Sequence, residues 1–199
     1  MRTTAPPLLP IFRSQLQGAL LAAVLLDPER ESTLTELSAF LGAPLATVAR
    51  EADRLTSAGI LSDRRVGQAR LVRANVSSPL FASLSDLVLR TFGPVEVLAE
   101  ELADVGGIEE AYIYGSWAAR YLGEVGPPPA DIDVLVVGAP GRQELFDAAE
   151  RAERRLGREV NTTRFSVKDW AGSEGGFVTE LRRRPLVAVP LMMRDERGA

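Results

Sequence analysis

Asp131-Ile-Asp133 runs directly into Val134-Leu-Val-Val137, and this segment constrains the fold more than any other. The run lacks the polar alternation of a half-solvated strand, so it reads as a strand buried on both faces. Upstream, Ala111-Tyr-Ile-Tyr114 is a second short β-rich run. Gly115-Ser116 follows it and opens a helix over Trp117-Ala-Ala-Arg-Tyr-Leu122. A loop rich in Gly and Pro, Gly123 to Ala130, separates that helix from Asp131. Each part has a chemical use. Gly115 lets the backbone approach a ligand closely. Ser116 stands where a helix begins, and free N–H groups with the helix dipole favour an anion such as a phosphate. Asp131 and Asp133 are two apart on an extended chain, so both carboxylates face the same way, ~7 Å apart at the backbone. Two convergent carboxylates beside a phosphate-binding turn suit a complex of Mg²⁺ with a triphosphate.

Residue usage narrows that chemistry. The 199 residues include no Cys and no His, which excludes disulfides, Cys/His zinc sites and catalysis by a thiol or an imidazole. A metal would need oxygen ligands, which favours Mg²⁺ or Mn²⁺. The apolar run Ala19 to Leu26 is eight residues long, well short of the ~20 a membrane span needs. No secretory signal is visible at the N-terminus, so a cytoplasmic location without membrane contact is expected. Charge is uneven. Residues 1–78 carry nine Arg against seven acids, while residues 79–199 carry 14 basic and 20 acidic residues. Arg64 to Arg73 holds four Arg and no acid. A mildly basic front half on an acidic back half suggests two units with different partners.

The front half is helical first. Ile11, Phe12, Leu16, Ala19, Leu20, Ala23 and Val24 have helical spacing within residues 11–26, and Asp27-Pro28 ends the run. Thr33 is an expected N-cap, with Glu36 closing a capping box. The helix Leu34–Leu41 stops at Gly42, and Ala43-Pro44 restarts one. In that third helix Leu45, Val48, Ala49, Ala52 and Leu55 line one face. Thr47, Arg50, Glu51 and Arg54 line the other. After Gly59, Ile60-Leu61 and Ala69–Ala74 read as two short strands around a turn at Gly67. Three helices followed by a two-stranded ribbon is the order of a winged helix-turn-helix. Over roughly residues 10–76 the segment resembles winged-helix regulators of the arsenic-repressor-like kind. That resemblance implies a major-groove reader with Thr47, Arg50 and Arg54 pointing out, and Arg64, Arg65, Arg70 and Arg73 on or beside the wing.

Leu80 to Phe92, with Leu80, Leu84, Leu87 and Val88 on one stripe, and Val95 to Val105 are two further helices broken by Gly93-Pro94. They read as a helical linker over 79–108, between a DNA-binding domain at 1–78 and a third segment at 109–199. The domain boundary itself is expected between about residues 78 and 94. The Leu80–Val88 stripe and the helix at 11–26 are candidates for a homodimer interface.

In the back half, YGSWAARYL and ADIDVLVVG together resemble the signature of the minimal nucleotidyltransferases of the DNA polymerase beta superfamily. The similarity runs from about Glu109 to Pro190. It implies an α+β protein whose C-terminal domain is a mixed sheet flanked by helices. It also implies Gly115 and Ser116 on the nucleotide phosphates, Asp131 and Asp133 holding two divalent ions, and NMP transfer from an NTP with release of pyrophosphate. The pattern places a third carboxylate where this chain has Asn161, a neutral ligand that cannot act as a carboxylate base. Glu159, two residues earlier on the same strand face, is the substitute catalytic and metal residue expected. Arg120, Arg164 and Asn161 complete the expected nucleotide site. Three functions stand open at this point: a DNA-binding nucleotidyltransferase, a transcriptional regulator whose degenerate domain only senses nucleotide, and a partner-binding module of a toxin–antitoxin kind.

Overall fold

The computed structural model describes residues 12–124, 129–172 and 176–191. Ile11 of the first expected helix, and 125–128 of the Gly/Pro-rich loop, lie outside the described residues. The fold is α+β with two separate sheets. The chain divides into two compact units, Met1–Gly93 and Pro94–Ala199.

In the first unit Ser14 caps α1 (Gln15–Leu25), its side chain accepting from the Gln17 N–H. β1 (Ser32–Thr33) leads into α2 (Leu34–Phe40), where Thr33 and Glu36 form the expected capping box. α3 (Leu45–Ser57) follows Pro44. β2 (Leu61–Val66) and β3 (Ala69–Ala74) form an antiparallel ribbon, and Gly67 takes the positive φ of 60° that its turn requires. β1 adds to the far edge of β3, giving the order β1-β3-β2. α4 (Phe81–Phe92) packs on α1. Leu20, Leu21, Val24 and Leu25 of α1, Val48 and Leu55 of α3, Val72 of β3, and Val88 and Phe92 of α4 share one core. The Phe12 and Phe92 rings meet edge-on at 5.3 Å. Of the Leu80–Val88 stripe, a candidate for a homodimer interface, Leu80 stays 52% exposed while the other members turn inward. Val88 is fully buried, and Leu84 and Leu87 pack against the same core. Of the segment 79–108, α4 falls in the first unit and α5 (Pro94–Leu102) opens the second.

The second unit continues with β4 (Ile108–Tyr114), α6 (Gly115–Tyr121), β5 (Asp131–Gly138), α7 (Arg142–Leu156) and β6 (Glu159–Phe165). α8 (Val167–Gly172), α9 (Phe177–Arg183) and β7 (Val187–Ala188) complete it. The sheet order is β6-β5-β4-β7, with β5 and β6 parallel and the other pairs antiparallel. As expected, Val134 to Val137 are at most 1% exposed. On one face Leu135 and Val137 pack with Trp170 of α8 and Val178 of α9. α7 lies along β6 and packs on α5. There Arg151 and Arg155 both reach Glu101 at 2.7 Å, and Arg155 also reaches Glu100 at 2.6 Å. Among the described residues no helix is long and apolar enough to cross a membrane.

Candidate functional site

On α3, Arg50 is exposed and its guanidinium donates to the Thr47 hydroxyl at 3.4 Å. Two expectations for this helix are corrected. Leu45 is 47% exposed rather than lining the core. Glu51, expected outside, is 7% exposed. Its carboxylate is satisfied by Gln17 Nε2 at 2.7 Å and by Arg54 at 3.0 Å, which is what allows a charge to be buried. Arg54 is thus tied to Glu51 instead of standing free.

The ribbon arginines divide by strand alternation. Arg65 and Arg70 are cross-strand partners, and Arg70 lies on the side facing α3, where it bonds Asp53. Arg70 also donates to Asp63 at 2.6 Å, and its side chain is only 18% exposed. Arg64 and Arg73 lie on the opposite ribbon face. There Arg64 Nε donates to both oxygens of Glu31, at 2.9 and 3.1 Å, while Arg73 stands 3.9 Å from the same carboxylate. Hydrogen bonds from Arg64 hold the Glu31 carboxyl below its ordinary range. Of the seven residues expected at the DNA interface, Thr47, Arg50 and Arg65 remain without a carboxylate partner among the described residues, and Arg73 lies 3.9 Å from Glu31. Arg54, Arg64 and Arg70 are engaged. The partners Glu31 and Asp53 lie outside the 64–73 window, so a count of charge along that window does not see them.

In the second unit the parallel register sets Asp131 against Glu159 and Asp133 against Asn161. All four occupy one sheet face by alternation. Gly115 opens α6 with φ 71°, and a Cβ there would sit 2.7 Å from Asp133 Oδ2. The backbone therefore rests against the Asp133 carboxylate in a conformation that favours Gly. Burial, and then the charge of Asp131, pushes the Asp133 carboxyl above its ordinary range. Asn161 Nδ2 donates to Asp131 Oδ2 at 3.3 Å. The amide that replaces the expected acid thus acts as a donor to the Asp pair rather than as another acceptor.

The remaining expected members of this site lie as follows. Glu159 is exposed, and among the described residues no three His, Cys, Asp or Glu side chains gather as a metal cluster. Arg164 is removed from the site by the pleat. It is three residues beyond Asn161, so it falls on the other face, and it donates to the Pro140 carbonyl at 2.9 Å. Arg120 donates to the Glu124 carbonyl at 3.1 Å beyond the C-terminus of α6. Ser116 is exposed in the first turn of α6. Arg158 donates to the Pro129 carbonyl at 2.8 Å, with its guanidinium 5.7 Å from the Trp117 ring centroid.

No family model matches the chain, and no curated protein matches it. Among solved structures it is similar to the solution structure of a homodimeric winged helix-turn-helix DNA-binding domain, fragment 1–100, from Mycobacterium bovis, described as a possible ArsR-family transcriptional regulator. The identity is 18%, over 45% of this chain and 88% of that one, with a TM-score of 0.31. A likeness at that level leaves any functional reading to the geometry of this chain itself.

Proposed function

We propose that the chain is a DNA-binding regulator: a winged helix-turn-helix that grips duplex DNA, joined to a nucleotidyltransferase-like unit that takes an NTP with Mg²⁺ or Mn²⁺. The observation that carries the first half is α3, which presents exposed Arg50 with Thr47 on the unit that also holds the Gly67 ribbon and exposed Arg65. A helix of this length fits the major groove, and an Arg at a ribbon tip suits phosphate or a narrow minor groove. The donor set in the second unit fits a hard cation. Two carboxylates share one sheet face and repel each other, and a divalent ion between them would relieve that repulsion. Asp131 and Asp133 would hold the ion, which would supply charge neutralisation to the triphosphate. Gly115 would let the phosphates approach, and Ser116 would offer a hydroxyl. Asn161 restrains Asp131 and adds no negative charge, which supports nucleotide sensing over transfer.

NMP transfer is the second reading, and the Asp131–Asp133 pair beside Gly115 is the arrangement it would share with sensing. The test uses the full chain. Duplex binding is measured across salt concentrations with and without Mn²⁺–NTP, alongside labelled-NTP transfer by the wild type and Asn161→Asp. Sensing requires salt-sensitive DNA binding that changes with Mn²⁺–NTP and is indifferent to it in Asp131→Asn/Asp133→Asn. Transfer to any acceptor by the wild type would favour the enzyme. DNA binding unchanged by Mn²⁺–NTP, with no transfer by either protein, would overturn both readings of the second unit.

A further inference from the structure

We infer that Arg70 is a positioning residue of the DNA interface, clamping the α3 helix to the ribbon, and that it is not itself a phosphate contact; this rests on the DNA-binding reading above. Its guanidinium bridges two elements at once, bonding Asp53 of α3 and Asp63 of β2. Asp53 is one helical turn beyond Arg50, so the bond fixes the helix close to the side chain that would read DNA. At the other end, Arg70 is the direct cross-strand partner of Arg65. Arg70 therefore stands between the turn of α3 that carries Arg50 and the ribbon position that carries Arg65, the two interface arginines without a carboxylate partner among the described residues.

Charge and burial agree with this role. Like charges directly opposite across a ladder repel. Arg65 and Arg70 are such a pair, and the two carboxylates on Arg70 compensate it. With its side chain 18% exposed against 57% for Arg64 and 54% for Arg73, Arg70 is the ribbon arginine least accessible to a phosphate. The planar guanidinium fork suits two acceptors on different elements, and a Lys ammonium would hold them with less geometric definition.

A phosphate contact and a clamp give opposite signs when the carboxylates are removed. The full chain is first used to select a duplex from a random-sequence pool, and affinities for selected and random duplexes are then compared. Asp53→Ala/Asp63→Ala adds two units of positive charge at the interface. If Arg70 were a phosphate contact held back by these acids, binding to both duplexes would tighten and its salt dependence would steepen. The clamp instead requires the preference for the selected duplex to fall by about tenfold, even as binding to random duplex holds or tightens. Arg70→Met should lose the preference similarly, and Arg70→Lys should restore part of it. Thermal unfolding of each variant identifies the folded fraction, and the ratio of the two affinities does not depend on that fraction. A ratio unchanged in Arg70→Met and in Asp53→Ala/Asp63→Ala would overturn the inference while leaving DNA binding intact. Failure of the wild type to enrich or bind any duplex would overturn the DNA reading and the inference with it.

Discussion

Replacing Gly115 by Ala combines two costs that can be separated by a control elsewhere in the same unit. Gly115 has φ 71°, where an L side chain costs about 1–2 kcal/mol. Its new Cβ would also lie 2.7 Å from Asp133 Oδ2, closer than packed atoms tolerate, so the half-buried carboxylate must turn away. Ala lowers the entropy of the unfolded chain, which offsets ~0.4–1 kcal/mol. The net loss is about 1–2 kcal/mol once the carboxylate shift is included, or roughly 4–8 °C in Tm per kcal/mol for a unit of this size. Gly123→Ala is the control. Gly123 also has a positive φ, 97°, but nothing lies within 4 Å of its Cβ position. Both tryptophans, Trp117 and Trp170, fall in the second unit. Their fluorescence during urea unfolding of the full chain therefore follows that unit selectively. Mn²⁺–NTP binding is measured in parallel by calorimetry. Both variants should lose stability, and only Gly115→Ala should lose Mn²⁺–NTP affinity, by tenfold or more because the Asp pair is no longer aligned. If the two variants behave alike in both assays, the apposition of Gly115 to Asp133 has no part in binding.

Three further outcomes are expected. Thr33→Ala should cost the first unit ~1 kcal/mol in thermal unfolding, because the Thr33 hydroxyl accepts the Glu36 N–H at 3.1 Å; Thr33→Ser should keep most of that. Gly18→Ala should destabilise by about 1–3 kcal/mol despite the better helix propensity of Ala, since a Cβ there falls 2.2 Å from Phe92 Cζ in the core; restored stability in Gly18→Ala/Phe92→Leu would confirm overpacking as the cause. Burial alone would raise the Glu101 carboxyl, but hydrogen bonds from Arg155 and Arg151 outweigh it and the net shift is downward. A depressed carboxyl contributes stability that is complete above the unfolded Glu value and is lost as pH falls through the folded one. The stability that Glu101 contributes to the second unit should accordingly fade from the ordinary Glu range downward in the wild type. The part of that pH dependence due to Glu101 should disappear in Glu101→Gln, and an unchanged acid profile would refute the assignment.

The parts of this molecule legible in the sequence are those decided by neighbours in the chain. Thr33 and Glu36 are three residues apart and their capping box forms as read. The uninterrupted Val134–Val137 run could only be a strand covered on both sides, and it is. β1 and β7 were invisible because a two-residue strand has no period of its own; each exists only by pairing with β3 or β4. The candidate sites show the same limit more sharply. Asp131 and Asp133 keep their common face because alternation is local, whereas the hydrogen bond from Asn161 arrives from 30 residues away. Glu51 looked like surface because its stabilising partner Gln17 is 34 residues upstream. The acid-free window Arg64–Arg73 looked like a basic face for the corresponding reason, its neutralising carboxylates Glu31 and Asp53 lying upstream of it. Charge counted along a chain measures what a surface could attract only where the fold brings no counter-charge from elsewhere. That leaves Arg50 and Arg65 as the pair by which the DNA-binding reading stands or falls: Arg50→Ala/Arg65→Ala should remove most duplex affinity and about two units of salt slope, while Arg64→Ala should leave both nearly unchanged.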